Sequence, residues 1–475
     1  SYHPELPTQT IWGYDGIVPG PTYVARYGKP ITVRIINKVP ANTVGYGSPE
    51  FSTHLHNLHC ASESDGFTGD YYSATKWGPT LTGPGVYKDH HYPNAYAGFD
   101  DPAYAATDGD PREALGTLWY HDHRLDFTGP NVYRGLQGFY LLFDDLDSGN
   151  ENDPNPAALR LPSGVGKYDI PLVFQDKVFD SGGYVGFNQF EANGILGNKF
   201  CVNGKIQPFF NVERRKYRFR MLDGGPARFY EMYLVSSMGI NQPFTYIAND
   251  GNLLPAPLTM KNVSLGVAER ADIVVDFSRY LPGTKLYLVN RLVQTNGQGP
   301  DPAANPRDIN GLLTSPGVQI MRFDVGGLPP VRDNSRVPAT LRALPPIDPA
   351  VVAAAPVRTF QFDKTNNVWT VNGQIFDVNT PVATIQRGTP EVWRLRGSGN
   401  WSHPVHIHFE EGRILNRNGA PPAPHEAGRK DVFVLGPGDT IDILIQFREF
   451  TGKYMMHCHN LTHEDHAMMV RFDVV

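Results

Sequence analysis

The chain has 475 residues, of which 19% are charged and 12% aromatic, and its formal net charge is −6. A net negative charge without a basic tract argues against a nucleic-acid partner. No apolar run approaches the length of a membrane span, so we expect no membrane partner either. A length of this order suggests about three domains.

Glycine and proline are abundant, with 48 and 41 residues, but follow no collagen-like period. Such a composition is typical of many short strands joined by turns. Three similar stretches recur, at residues 14–37, 202–222 and 371–397, and each runs from an Asp-Gly or Asn-Gly turn into an alternating strand. Self-similarity at this scale predicts one β-domain used three times. Chance resemblance is the alternative, because hairpins with these turns are common.

Long helical periods are missing from the sequence, so we expect helices to be short and confined to connections. The strand-and-turn pattern predicts an all-β fold of Greek-key sandwich or barrel domains. We expect a first domain at residues 1–150, a second at 160–326 and a third at 356–475. A Pro-rich linker at 327–355 would join the last two.

The 16 histidines are unevenly placed, and several fall in closely spaced groups. The groups are His54-Leu55-His56, His121-Asp122-His123, His403-Pro404-Val405-His406-Ile407-His408, and His457-Cys458-His459 with His463. Alternate side chains of a strand point the same way, so a His-x-His pair places two imidazoles on one face. One such pair is usually two packed or surface histidines. Several together indicate a metal site, because neutral imidazole is a preferred ligand of copper and zinc.

A cysteine and a methionine accompany the last group and bear on the choice of metal. In an extended His457-Cys458-His459 segment, the two histidines face one way and Cys458 the other, so they can serve different ions. Structural zinc takes four ligands and catalytic zinc three, and ten histidines with a thiolate and a thioether are too many for either. Cys with two His and a weakly bound Met is the ligand set of blue copper. The pattern therefore predicts copper.

In chain order, the stretches HLH, HDH, HPVHIH and HCHNLTHEDHAMM resemble the four signature motifs of the multicopper oxidases. The last stretch and NWSHPVHIH are especially similar to the branch of bilirubin oxidases and spore-coat laccases. The resemblance covers essentially the whole chain. It implies three cupredoxin-like domains, of which the first and third share a trinuclear copper cluster.

One departure from the family pattern follows the first histidine pair. Asn57 stands where the family usually has Gly, with His59 and Cys60 close behind, and residues 71–114 look like an insertion. The stretch also adds His90 and His91, and we expect these histidines to be loop residues; a local rearrangement near one copper of the cluster, the type 2 copper, is the alternative.

The resemblance also implies a role for each ligand and a total of four copper ions. The implied sets are His403, Cys458 and His463 with axial Met468 for type 1 copper; His54 and His406 for type 2; His56, His121 and His459 for one type 3 copper; and His123, His408 and His457 for the other.

The activity implied by the resemblance is that of an oxidase. It would take single electrons from a small reducing substrate, such as a phenol, an aromatic amine or a bilirubin-like donor, at type 1 copper. The electrons would cross Cys458 to the cluster, where O2 is reduced to water. The alternative donor is a metal ion: Cu(I), Fe(II) or Mn(II). We expect Trp401 at the rim of the donor site, beside exposed outer edges of His403 and His463.

Two carboxylates, Asp65 and Glu464, match acidic positions of the same branch. The resemblance implies that they deliver protons for O2 reduction, with pKa values set by the metals and by partial burial. Taken without the resemblance, each is a solvated loop carboxylate or a hydrogen-bond acceptor for a ligand histidine.

Besides Cys458, the chain has two cysteines, Cys60 and Cys201. A disulfide between them would suit an oxidising compartment; two separate buried thiols are an equal alternative, decided by a distance. The chain begins at Ser1 and not at Met, which predicts a processed, secreted or otherwise extracytoplasmic protein. We expect a monomer.

Overall fold

The structure is a computed structural model that describes residues 1–73 and 76–475. Strands dominate these residues, which confirms the all-β prediction, and the helices are short connections. The α-helices are α1 (Ser62–Asp65), α2 (Thr128–Arg134), α3 (Pro349–Ala354) and α4 (Leu461–Asp465). Single 3-10 turns lie at Tyr14–Gly16, Thr68–Asp70, Pro102–Tyr104, Pro111–Glu113, Phe277–Arg279, Pro302–Ala304 and Pro424–Glu426. None of the described helices is long and apolar enough to cross a membrane.

The strands form three consecutive groups, here called the first, second and third segments, at residues 20–143, 169–325 and 357–474. Among the described residues, no strand pairs with a strand of another segment. The first segment contains β1 (Gly20–Arg26), β2 (Ile31–Ile36), β3 (Thr53–His56), β4 (Tyr71–Ser73), β5 (Lys76–Trp77), β6 (Tyr87–Tyr92), β7 (Thr117–Asp122) and β8 (Gln137–Phe143).

The main sheet of the first segment, in the order β1-β8-β7-β3, brings two histidine pairs together. β3 and β7 are antiparallel, with His54 opposite His121 and His56 opposite Trp119. Leu55 lies between the histidines of β3 and packs into the apolar core of this segment. Because side chains alternate along a strand, the imidazoles lie on the opposite face of the sheet.

The second segment is the largest and has two sheets around the main apolar core. Its strands are β9 (Asp169–Phe179), β10 (Val185–Gly186), β11 (Lys199–Val202), β12 (Lys205–Ile206), β13 (Phe209–Val212), β14 (Lys216–Asp223), β15 (Tyr230–Ser236), β16 (Asn241–Gln242), β17 (Phe244–Asn249), β18 (Asn252–Met260), β19 (Asn262–Leu265), β20 (Arg270–Asp276), β21 (Lys285–Asn290) and β22 (Val318–Val325).

The third segment has two facing sheets, in the orders β24-β23-β26-β31-β28-β29 and β25-β33-β32-β27-β30. Its strands are β23 (Val357–Thr365), β24 (Val368–Val371), β25 (Ala383–Ile385), β26 (Pro390–Gly397), β27 (His403–Ile407), β28 (Gly412–Arg417), β29 (Arg429–Lys430), β30 (Val432–Leu435), β31 (Thr440–Gln446), β32 (Gly452–Cys458) and β33 (Met469–Val474). In the second sheet, β27 and β32 are antiparallel and place Val405 opposite Cys458 and His406 opposite His457.

The three repeated stretches occupy equivalent places in their segments. A strand after each Gly turn (β1, β13, β25) pairs in parallel with the last strand of its segment (β8, β22, β33). Most other pairs are antiparallel, so this shared parallel closure supports one unit used three times. On this basis we propose the domain limits 1–150, 160–326 and 356–475.

Buried charges join the first and second segments. The Arg218 guanidinium donates to Asp272 at 2.6 Å and to Asp147 at 2.7 Å. The Thr117 hydroxyl of β7 donates to the same Asp272 carboxylate at 2.8 Å. Removing one member of such a buried network leaves an unpaired charge, so these contacts fix how the two segments dock.

The Pro-rich connection at 327–355 packs against the first and second domains. Leu341 is buried in an apolar cluster with Leu159 and Ile247, and Arg342 pairs with Asp144 at 2.8 Å. The connection therefore helps to hold the second segment against the first.

Cys60 and Cys201 are separate buried thiols. All three cysteines of the chain lie among the described residues, and none is bonded to another. Cys60 packs in the core of the first segment, whereas Cys201 packs with Tyr2 and Phe179. The structure thus decides between the two alternatives that the sequence left open.

Candidate metal centres

Eight histidines meet in one buried space between the first and third segments. β3 and β7 with the residue that follows bring four of them, and β27 and β32 with the residues that follow bring the rest. All eight are 0% exposed: His54, His56, His121, His123, His406, His408, His457 and His459. We call this set the histidine cluster. The sequence predicted all of its members.

Three imidazoles of the cluster converge on one point. The Nε2 atoms of His123, His408 and His457 lie 3.2 Å from one another in each pairing. Neutral imidazole has one donor nitrogen and one acceptor nitrogen, so three nitrogens facing each other cannot all be satisfied as hydrogen bonds. Convergent ring nitrogens are the arrangement that metal binding requires.

A second pair faces the same space through Nε2. The Nε2 atoms of His54 and His406 are 3.4 Å apart. Their Nδ1 atoms point outward to main-chain carbonyl oxygens, of Asp65 at 2.5 Å and Asp431 at 3.0 Å. Because the outer nitrogen donates to a carbonyl, the inner nitrogen is left as a free ligand atom.

The remaining three, His56, His121 and His459, surround one another with ring centroids 5.3 to 5.8 Å apart. Among the described residues, His56 Nδ1, His121 Nε2 and both nitrogens of His459 lack a hydrogen-bond partner although they are buried. Buried polar atoms are nearly always paired, and an ion is one explanation for those that are not. The donor set therefore fits bound metal.

Cys458 belongs to a second, smaller site within the third segment. Its Sγ lies 3.4 Å from His403 Nδ1 and 3.5 Å from His463 Nδ1, and these two nitrogens are 3.3 Å apart. Met468 is fully buried in the same apolar core as Cys458, and its carbonyl accepts from the Cys458 amide at 3.1 Å. We call these four residues the cysteine site.

Burial sets the protonation of both sites. It lowers the pKa of His403 to about 3, and burial together with neighbouring imidazoles lowers the pKa values of His406 and His408 well below the usual range. These imidazoles are therefore neutral at physiological pH, which is the state that binds metal. Burial raises the pKa of the Cys458 thiol, so its thiolate needs an adjacent cation.

Asp65 and Glu464 are both buried against the outer nitrogens of cluster histidines. Asp65 Oδ2 lies 2.8 Å from His408 Nδ1, and Glu464 Oε2 lies 3.1 Å from His457 Nδ1. The other Glu464 oxygen is 3.4 Å from His123 Nδ1. The solvated-loop interpretation is therefore wrong for both residues: Asp65 accepts a hydrogen bond from His408, and Glu464 lies at ion-pair distance from His457 and His123.

The expected exposure of His403 and His463 is also wrong, since both are 0% exposed. The Trp369 ring covers His463 at 3.8 Å between centroids, and the Asn193 carbonyl accepts from His463 Nε2 at 2.9 Å. Trp401 is half-buried at the rim, 4.7 Å from Trp369. The sequence missed this cover because Asn193 comes from the second segment.

His59 is a loop residue, as expected, but is buried in an ion cluster; the loop prediction is wrong for His90 and His91, which lie in strand β6. Its Nε2 lies 3.2 Å from Glu411 and 3.4 Å from Glu410, and its Nδ1 is 3.4 Å from Glu449. These carboxylates hold the pKa of His59 well above its usual range although burial opposes them. His59 therefore forms ion pairs apart from the histidine cluster.

Comparison with known proteins agrees with the fold and the donor set. Multicopper oxidase family models match residues 352–475 and 2–79. A bilirubin oxidase of Albifimbria verrucaria is 36% identical over 480 residues, 99% of this chain and 74% of the relative. A laccase of Bacillus stratosphericus is 30% identical over 526 residues, 100% of this chain and 92% of the relative.

Among solved structures, a variant of the McoA multicopper oxidase from Aquifex aeolicus superposes with a TM-score of 0.75. It is 26% identical and covers 96% of this chain and 89% of its own. The fold and the convergent His and Cys donors define a copper oxidase built of cupredoxin-like domains. The chain belongs to the multicopper oxidase family, and this membership implies copper, O2 and a reducing substrate.

Proposed function

We propose that the protein takes single electrons from phenols, aromatic amines or bilirubin-like donors at a type 1 copper and reduces O2 to water at one type 2 and two type 3 coppers. The observation that carries this proposal is the junction His457-Cys458-His459. Cys458 belongs to the cysteine site, while its two neighbours belong to the histidine cluster. Similarity to a bilirubin oxidase over nearly the whole chain supports the donor class.

The proposed ligand sets are those implied by the sequence motifs. They are His403, Cys458, His463 and axial Met468 for type 1; His54 and His406 for type 2; and His56, His121 and His459 with His123, His408 and His457 for the type 3 pair. Bound copper would supply one-electron redox chemistry and the place where O2 is reduced.

The chain itself excludes water and fixes the ligand orientations. Every cluster histidine is buried, so charges inside the cluster are screened weakly. Asp65 accepts a hydrogen bond from the outer nitrogen of His408, and the Glu464 carboxylate lies at ion-pair distance from the outer nitrogen of His457. We propose that these two carboxylates also hold the protons that O2 reduction consumes, because they are the acidic groups touching cluster histidines from the first segment and from α4.

The donor side is formed by aromatic rings and one cation. Since Trp369 and Asn193 cover the buried imidazoles, a donor meets the rim at Trp401 and not the ligands themselves. Flat aromatic donors can stack on an indole. The Lys364 ammonium, 5.0 Å from the Trp401 ring centroid, favours a donor that carries a carboxylate.

Oxygen uptake by the copper-loaded protein tests the proposal. The panel is bilirubin, a dimethoxyphenol, an aromatic amine, Cu(I) and Fe(II), with Cys458→Ser as the blank. We expect uptake with the organic donors and about four coppers per chain. Uptake with the metal ions alone would replace the proposal with a metal-ion oxidase.

Location and assembly stay predictions. A secreted or otherwise extracytoplasmic location is tested by fractionating the source cells, and a monomeric state by sedimentation of the copper-loaded protein.

A further inference from the structure

Asp431 is a buried carboxylate at the meeting point of all three segments. It lies between β29 and β30 of the third segment and is 0% exposed. Its Oδ1 is 2.9 Å from Nε2 of His56 in the first segment. Its main-chain carbonyl accepts from Nδ1 of His406 at 3.0 Å. One residue thus contacts two members of the histidine cluster.

Arg270 of the second segment holds this carboxylate in place. Its Nη1 donates to Asp431 Oδ1 at 2.7 Å, and its Nη2 donates to Oδ2. The remaining donors of the guanidinium bind the main-chain carbonyls of Thr117, Ala268 and Asp250 at 3.0 to 3.3 Å. Arg270 thus pairs with the carboxylate through two parallel hydrogen bonds, and its other N–H groups are also bonded. The orientation of the Asp431 side chain is therefore fixed.

The contact with Asp431 determines which ring nitrogen of His56 is free to bind a metal. His54, His121, His406 and His408 bind their outer partners through Nδ1 and present Nε2. His56 is the reverse: Nε2 is bound to Asp431, and the unpartnered Nδ1 is its other ring nitrogen. A carboxylate that accepts from one ring nitrogen fixes which nitrogen is free to bind metal.

We propose that Asp431, clamped by Arg270, is a positioning residue that makes His56 bind copper through Nδ1, so that the second segment orients a cluster to which it gives no ligand. This inference rests on the proposed function, because it presumes a copper cluster at these histidines. The competing explanation is that Asp431 and Arg270 form an inter-domain ion pair with no effect on the cluster. The two explanations predict different copper affinities when Asp431 is replaced.

Asp431→Asn tests the inference, with Asp272→Asn as the matched control. Both change a buried carboxylate that pairs with an arginine and also contacts another segment, which for Asp272 is through the Thr117 hydroxyl; Asp272 touches no cluster histidine. We expect Asp431→Asn to weaken cluster copper about 10- to 100-fold in chelator competition. Its type 2 electron paramagnetic resonance signal should change, while the blue absorbance of the cysteine site persists. Asp272→Asn should lower the melting temperature and leave copper affinity and both signals unchanged.

Full copper affinity with an unchanged signal in Asp431→Asn would overturn the inference, as would equal copper loss in Asp272→Asn. A crystal structure of the copper-loaded wild type covers the case in which the variant does not fold: copper on His56 Nδ1 with Nε2 on Asp431 supports the inference, and copper on Nε2 overturns it. Wild type without cluster copper or oxygen uptake would instead refute the proposed function itself.

Discussion

The cysteine site and the histidine cluster are built in opposite ways. The cysteine site draws its donors from the third segment alone, on neighbouring strands and helix α4, and they converge through Nδ1 and Sγ. The histidine cluster takes four imidazoles from each of two segments, so it exists only when they dock. One site takes its donors from a single domain and the other takes them from both sides of an interface.

Carboxylates make that interface reciprocal. Asp65 of the first segment binds His408 of the third, at 2.8 Å. In return Asp431 of the third segment binds His56 of the first, at 2.9 Å. Each domain thus orients histidines of the other, so the docking of the first domain against the third and the metal affinity of the cluster depend on each other. The cysteine site takes no donor from the first segment, so it should be insensitive to the docking of the first segment against the third, and experiments can test this contrast.

The largest expected effect comes from Cys458→Ser. The hydroxyl cannot replace the thiolate, so blue absorbance and turnover should be lost together, whereas the histidine cluster keeps its copper. Optical spectra, copper analysis and oxygen uptake measure this. Cys201→Ser makes the same chemical change in the second segment and should leave colour and turnover intact. A blue, active Cys458→Ser variant would sink the ligand assignment.

Next in size is Glu464→Gln, which acts on the cluster side. The amide keeps the shape but cannot carry a proton, so oxidation of the reduced enzyme by O2 should slow by about 10²-fold or more. Reduction of the blue copper by donor should be unchanged in stopped-flow measurements. Asp465→Asn, at the neighbouring carboxylate that accepts from Thr128 and Gly129 amides, is the control. Equal slowing of both half-reactions would count against proton delivery.

Asp272→Asn probes docking away from any ligand. It removes a charge from the buried network of Arg218 and Thr117, and breaking such a pair lowers the free energy of unfolding by about 3–5 kcal/mol. Denaturant unfolding of the variant measures the change. An unchanged midpoint would show that these charges do not hold the domains together.

Lowering the pH should destabilise the folded first segment, because His90 is protonated more readily in the unfolded chain. This buried imidazole lies against Ser64 beside Asp65, and burial lowers its pKa to about 4. The unfolded chain protonates near pH 6.5. The contribution of His90 to the free energy of unfolding is therefore fully present above about pH 6.5. On the order of 3 kcal/mol of it is lost as the pH drops to about 4. His90→Gln should flatten this limb of an unfolding-versus-pH curve, whereas the exposed neighbour variant His91→Gln should keep it.

The smallest effect is expected from Trp401→Phe at the donor rim. Losing part of an aromatic contact costs about 0.5–1.5 kcal/mol of interaction free energy. The value of kcat/KM for aromatic donors should therefore fall roughly 2- to 10-fold. Oxygen uptake with Fe(II) should not change. A uniform loss across all donors would show that Trp401 supports the cysteine site and not the donor.

The histidines and the cysteine that converge in the two candidate sites could be predicted from the sequence because their signal is local. His-x-His alternation and the adjacency of Cys458 to two histidines are properties of single strands, and the Gly turns mark the repeated unit. Asp431 and Arg270 carry no such signal, since they meet only after three segments dock. The burial of His463 depends likewise on Trp369 and on Asn193 of another segment.

The parallel pairing of β1 with β8, β13 with β22 and β25 with β33 has a consequence for the order of assembly. In each unit, an early strand pairs with the strand that is synthesised last in that unit, so it stays unpaired until then. Such distant pairings are slow to form. Cys458 and His463 lie between β25 and its late partner, so the cysteine site cannot close, and cannot accept copper in its final shape, before that last strand is in place.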